Sequence, residues 1–164
     1  MTNYELAKRV LYVHNLYDNQ NKIKRIPCEN DNIFIFAHGY CALQTNEIEF
    51  PDNFEDMQGT RWTTLRSMRV KAESVFVPSV YGKATYSYEI YAEKKRKSDT
   101  ILKLNLKVND YIYPTFIQQA FLRFVAKADS IEIGDYYNCY TIICNYNKKG
   151  KIIILPVKIE NCYL

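Results

Sequence analysis

The sequence predicts a single α+β domain made of two helix-plus-three-strand units, with the helices packed on one face of a mainly antiparallel sheet. Three observations carry this expectation. Leu6, Val10, Val13 and Tyr17 recur at helical spacing, which stacks them on one face. Tyr86, Tyr88, Ile90 and Ala92, then Leu102, Leu104, Leu106 and Val108, alternate with mostly polar residues, as strands with one buried and one solvated face do. At 164 residues, 48% apolar and 24% charged, the chain lies in the range of one domain with a real core.

Taken in order, a first helix is expected over Asn3 to Tyr17, capped by Thr2 or Asn3 and stopped by Asp18-Asn19-Gln20-Asn21. Glu5, Lys8, Arg9 and Tyr12 fall on its other side. Three short strands are expected at Ile23 to Cys28, Ile33 to Ala37 and Ile48 to Phe50, divided by turn-prone Glu29-Asn30-Asp31-Asn32 and Thr45-Asn46. Residues 51–81 read as an insertion or connection within the one domain spanning 1–164. They hold a loop or helical turn at Asp52 to Asp56, a strand or extended crossover over Arg61 to Val70, and a strand at Val75-Phe76-Val77 ended by Pro78. The two alternating strands then flank the basic tip Lys94-Lys95-Arg96-Lys97-Ser98-Asp99. A second helix is expected from Pro114 to Ala128, burying Ile117, Ala120, Phe121, Phe124 and Ala128 and leaving Gln119, Arg123 and Lys127 outward. Strands at Ser130 to Ile133, Tyr140 to Cys144 and Lys151 to Ile159 close the chain. Helix then three strands, a middle section, and helix then three strands again suggest an internal structural duplication.

Composition narrows the function classes. Fifteen tyrosines and eight phenylalanines suit strand faces and interfaces where one end of the ring stays wet. A net charge of +4 permits contact with nucleic acid without demanding it. No run approaches the roughly 18 apolar residues of a membrane span. Met1-Thr2-Asn3-Tyr4-Glu5 lacks the basic and apolar regions of a signal peptide. Cys28, Cys41, Cys139, Cys144 and Cys162 are odd in number and irregularly spaced, which reads as reduced thiols in the cytoplasm.

Catalytic and metal chemistry find little footing. His38 and Cys41 are close in sequence, as are Cys139 and Cys144, but a structural zinc site needs four ligands, usually in two close pairs. His14 is the remaining imidazole, and nothing in the spacing requires it. A nucleophilic cysteine needs a base and a lowered pKa, and Cys41 beside His38 reads instead as strand end and turn. Glu47, Glu49, Asp52, Glu55 and Asp56 form no acid/base frame, and no glycine-rich phosphate loop occurs among the five glycines. The expectation is a non-enzyme without cofactor or metal. Lys8 and Arg9 on the first helix, with Arg123 and Lys127 on the second, would form a basic strip for the phosphates of double-stranded DNA if the helices lie side by side.

Ile101 to Ile159 resembles the last half-domain of a bacterial-type DNA sliding clamp. The likeness is carried by Val108-Asn109-Asp110-Tyr111-Ile112, Ala128-Asp129-Ser130-Ile131-Glu132-Ile133 and Ile153-Ile154-Leu155-Pro156-Val157-Lys158-Ile159. Ile33 to Leu43 is similar to that family's strand ending in an Asp-Gly turn, with His38 in place of the aspartate. The resemblance implies a clamp-like domain in a ring-forming processivity factor for DNA replication, helices toward duplex DNA. About six copies of one such domain, or a partner, would be needed to close a ring. It implies self-association or a replication protein as partner. The alternative is a protein-interaction or regulatory domain that uses tyrosine-rich strand faces and no DNA. An enzyme resting on His38 and Cys41 is the third possibility.

Overall fold

Strand formation dominates this chain, whose computed structural model describes residues 1–46, 48, 54–57, 62–65, 68–136 and 139–159. Helix α1 (Asn3–Tyr17) opens it. The Thr2 side chain accepts from the Glu5 N–H while the Glu5 carboxylate accepts from the Thr2 N–H, so two orphan donors are satisfied at once. Strands β1 (Ile23–Pro27), β2 (Asn32–Phe36) and β3 (Cys41–Thr45) follow as an antiparallel meander. Then β4 (Phe54–Asp56) runs parallel to β1, and β5 (Trp62–Leu65) and β6 (Met68–Lys71) form a separate two-stranded antiparallel sheet. Next come β7 (Val80–Ala92), β8 (Ile101–Val108) and β9 (Tyr111–Gln118). A 3-10 turn leads into helix α2 (Leu122–Lys127), and β10 (Ser130–Tyr136), β11 (Cys139–Asn145) and β12 (Lys151–Ile154) complete the sheet. Its order is β4-β1-β2-β3-β12-β11-β10-β7-β8-β9.

The expected clamp-like α+β domain is therefore corrected. The described chain is dominated by one ten-stranded sheet, with only two α-helices among the described residues, the second of six residues, so it is not a helix-plus-strand clamp unit. A helix followed by three strands does recur, as α1 with β1–β3 and α2 with β10–β12, but β4 and β7 to β9 belong to neither stretch and extend the same sheet. Three local expectations also change. Residues 111–118 are a strand, not the opening of a helix. Val75-Phe76-Val77 is no strand, since Ala72–Phe76 is a 3-10 segment. The third expected strand was placed past β3, at residues of which only Ile48 is described.

The core explains why so many strands form. Alternation along β2, β3, β11 and β12 sends apolar side chains to both faces, and both are covered. On one face Phe34, Phe36, Leu43, Ile142 and Ile152 join Leu6, Val10 and Val13 of α1, Phe121 and Phe124, and Leu102, Leu104 and Leu106 of β8. On the other, Ile33, Ile35, Ala42, Ile143 and Ile153 join Leu65, Ala72 and Phe76. Each Leu, Ile, Val or Phe among them contributes about 1.5–3 kcal/mol on burial. The stretch expected to be a mere connection thus supplies Leu65, Ala72 and Phe76 to close the second face.

Candidate interaction surface

Strand β7 changes partners midway. Val80 and Ala84 pair with β10, whereas Thr85 through Ala92 pair with β8. Beyond Ala84, the edge that β10 occupied carries no strand among the described residues. Every residue from Thr85 to Tyr91 is exposed. Antiparallel partners directly opposite share a face of the sheet. Tyr86, Tyr88 and Ile90, opposite Leu106, Leu104 and Leu102, therefore lie on the core side. The leucines are almost fully buried, yet Tyr86, Tyr88 and Ile90 are 36%, 53% and 60% exposed. The core ends at β8, and the row on β7 overhangs it. On the same lobe Tyr111 and Ile112 of β9 are also exposed. Tyr91 sits at an irregularity in the β7–β8 register and packs edge-on against Phe116 at 4.9 Å.

Helix α2 bridges the two ends of this open stretch. At one end the Gln119 N–H donates to the Thr100 carbonyl (2.8 Å) and the Lys94 N–H to the Thr100 hydroxyl (3.1 Å). At the other, α2 runs through Ala128 and Asp129 into β10, whose Ile131 pairs with Ala84. The basic tip is fastened by one of its own residues. Arg96 makes a two-pronged ion pair with Asp99, donates to the Leu16 carbonyl (3.0 Å), and lies 5.4 Å from the Tyr17 ring centre. Lys94, Lys95 and Lys97 remain exposed.

The four basic residues singled out in the sequence are brought to neighbouring positions on the helices. Arg123 lies 4.6 Å from the ring centre of Tyr12, one helical turn beyond Lys8. Lys8 is 6.0 Å from the Tyr4 ring, and Lys8 and Lys127 are exposed. The carboxyl of Glu5 is lowered in pKa first by its hydrogen bond from the Thr2 backbone, and also by the N-terminal charge, Arg9 and Lys127. One carboxylate thus sits near Arg9 and Lys127.

His38 and Cys41 are not brought together as a catalytic pair. His14 is structural: its Nδ1 accepts from the Ala37 N–H (3.0 Å), so its Nε2 carries the proton facing the Asn21 carbonyl (2.6 Å). It braces a left-handed turn, with φ of 55° at Ala37, 55° at His38 and 78° at Gly39. His38 stands exposed at that turn, 3.6 Å from the Asp18 carboxylate. Cys41 is fully buried, and burial holds its thiol well above the ordinary range. Burial likewise pushes Cys144 up to about 12 and raises the Tyr146 phenol. Among the described residues no group of three or more His, Cys, Asp or Glu is placed to hold a metal ion.

These shifts have a pH consequence. Unfolded thiols ionise near about 8.5, whereas the buried ones stay protonated. Above that pH the unfolded chain sheds protons that the folded one retains, so stability falls as pH rises through about 9 and beyond. In the native protein, iodoacetamide is expected to modify half-exposed Cys28 well before Cys41, Cys139 or Cys144, read by peptide mass spectrometry. Rapid native labelling of Cys41 would contradict the buried, inert assignment.

No helix among the described residues is long and apolar enough to cross a membrane. No family model, curated protein or solved structure matches this chain.

Proposed function

We propose that this is a non-catalytic, cytoplasmic protein-interaction domain that docks a partner on the lobe formed by β7, β8 and β9. One observation carries the proposal: seven consecutive residues, Thr85 to Tyr91, stand exposed along a strand edge that no other strand among the described residues meets, with a row of large side chains beside it. Large aromatics at low entropic cost are the usual anchors of protein interfaces. An open, partly apolar edge left bare is an aggregation hazard, so a partner that covers it gives it a reason to persist. The cytoplasmic assignment is supported by Cys41 and Cys144, buried thiols that are not joined in a disulfide.

A second role is favoured by a separate observation, the convergence of Arg123, Tyr12, Lys8, Arg9 and Lys127 on adjacent helices. Phosphate oxygens of duplex DNA would suit that ridge. A ring-forming part in DNA replication needed the clamp scaffold and is not carried forward.

The two roles separate cleanly. With the domain as bait, the double substitution Tyr88→Ser and Ile90→Ser should reduce the partners retained by about tenfold or more. Arg123→Gln should leave them unchanged. All three residues are at least partly exposed, so the melting temperature should hold within a few degrees. Duplex DNA binding that weakens steeply between about 50 and 200 mM salt and loses about one unit of slope in Arg123→Gln would favour the ridge. Retention indifferent to the Tyr88 and Ile90 changes would overturn the interaction role.

A further inference from the structure

We infer that the partner docks as an added strand: an acidic, extended segment of another protein pairs with the open edge of β7 along Thr85 to Tyr91. This rests on the interaction role above and specifies how the same surface works. Alternate backbone N–H and C=O groups along those residues point away from β8, and no strand meets them among the described residues. Seven residues offer about 20–25 Å of edge, enough for a short strand. Hydrogen bonds would then be supplied by the backbone and selectivity by side chains every second residue. Such side chains on the core side would continue the row Tyr86, Tyr88 and Ile90, toward the layer that holds α2.

Charge identifies the segment. Lys83 stands at one end of the edge, and Lys94, Lys95 and Lys97 at the other. Glu89 sits opposite Lys103 on the outer face, where the pair offsets itself. Asp99 is taken up by Arg96 and Glu132 accepts from Asn145, which leaves Glu93 and Asp129 against four lysines, so the cations prevail. Alternating apolar and acidic residues match this edge, and a basic segment does not. A second copy of the chain matches poorly. Antiparallel self-pairing centred on Glu89 sets that carboxylate against its own copy and Lys83 against Lys95. Centred on Ile90, it sets Lys83 against Lys97. Centred on Tyr88, it sets Lys83 against Glu93 but carries the copy's Ala92 to Ala84, where β10 already pairs, and lower centres run further into β10.

The test uses the full chain and a capped, dye-labelled peptide of about eight residues alternating valine and glutamate. Its lysine counterpart is the charge control. Two further forms carry N-methyl groups on alternate amides, one form for each edge of the ligand strand. Fluorescence anisotropy should show saturable binding of the glutamate peptide and about tenfold weaker binding, or none, for the lysine one. One N-methylated form should bind as the parent does and the other should lose binding, because only one edge of an added strand faces β7. Tyr88→Lys should abolish binding, while Tyr4→Lys, at an exposed position of α1, should leave it intact. Absent binding, equal binding of both N-methylated forms, or indifference to Tyr88→Lys would each overturn strand addition. If strand addition fails while the Tyr88 and Ile90 variants still release captured partners, the interaction role stands and only its mode is wrong. If those variants also change nothing, both fall.

Discussion

Phe121→Ala is expected to lower the unfolding free energy by about 3–5 kcal/mol, the range for removing a fully buried phenylalanine. Phe121 is fully buried just ahead of α2, and its ring centre lies 5.2 Å from that of Tyr17 and 6.1 Å from that of Tyr40. Tyr17 ends α1 and sends its hydroxyl to the Ser98 carbonyl (2.6 Å), while Tyr40 precedes β3. One ring thus ties the last turn of α1, the bend after β2 and the start of α2, segments distant in the chain. A six-residue helix has too few internal hydrogen bonds to persist alone. Without Phe121, α2 loses the anchor at its entry and Arg123 the support that holds it over Tyr12. Phe121→Leu keeps most of the volume and should cost about 1.5 kcal/mol or less. A urea melt of both variants measures this. Equal, small losses would show that the aromatic cluster is not what seats the helix.

The same region shows where the sequence could be read and where it could not. Helix α1 was legible because its apolar positions repeat at helical spacing and Thr2 or Asn3 could cap its start, and the structure selects Thr2. The second helix was expected from Pro114, and Phe121 and Phe124 do sit on the core side, but residues 111–118 are β9. A proline after a strand reads as a helix start, yet it is equally at home on the last strand of a sheet, where one edge needs no donor. The better signal lay in Tyr111-Ile112-Tyr113-Pro114-Thr115-Phe116-Ile117, which is aromatic and β-branched nearly throughout. Pairing with β8 then decides the matter, and that is a long-range fact that no local window contains.

The candidate surface was half legible for a related reason. Alternation at Tyr86, Tyr88 and Ile90 correctly marks one face of a strand, and those residues do face the core side. Alternation does not say how far the core extends. Burial there needs a covering layer, and the layer reaches Leu102, Leu104 and Leu106 but not the next strand over. The open edge could not be foreseen, because β10 pairs only with the first part of β7. Lys8, Arg9, Arg123 and Lys127 were placed near one another by the outward faces of two helices. That expectation needed only that both helices pack on the same face, as Val10 and Phe124 do in one cluster.

Gly150→Ala should cost about 2–4 kcal/mol, combining backbone strain with a collision. Gly150 has φ +143°, a conformation that side chains rarely tolerate, and a Cβ there would run into the Gln44 carbonyl oxygen and lie 3.1 Å from the Thr45 Cβ. Neither atom can yield easily. Gln44 belongs to β3 and pairs with Lys151 of β12, and the Thr45 hydroxyl donates to the Lys149 carbonyl (2.6 Å). Gly82 offers the contrast. Its φ is +115°, but a Cβ would meet only the Val108 Cγ1 at 3.2 Å, a side chain that can shift, so Gly82→Ala should cost less. The position of Gly150 makes the loss global. In the sheet order, β3 paired with β12 is the seam that joins β4-β1-β2-β3 to the other six strands. Backing β3 away from β12 also exposes Leu43, Ile152 and Ile154, which belong to the larger core cluster. Hydrogen exchange should therefore show the amides of Ala42–Gln44 and Ile152–Ile154 losing protection together with the core of β11, not as a frayed turn. If only the turn at 147–150 became labile, the seam would be tolerating the methyl group and the clash at Gln44 would be relieved locally.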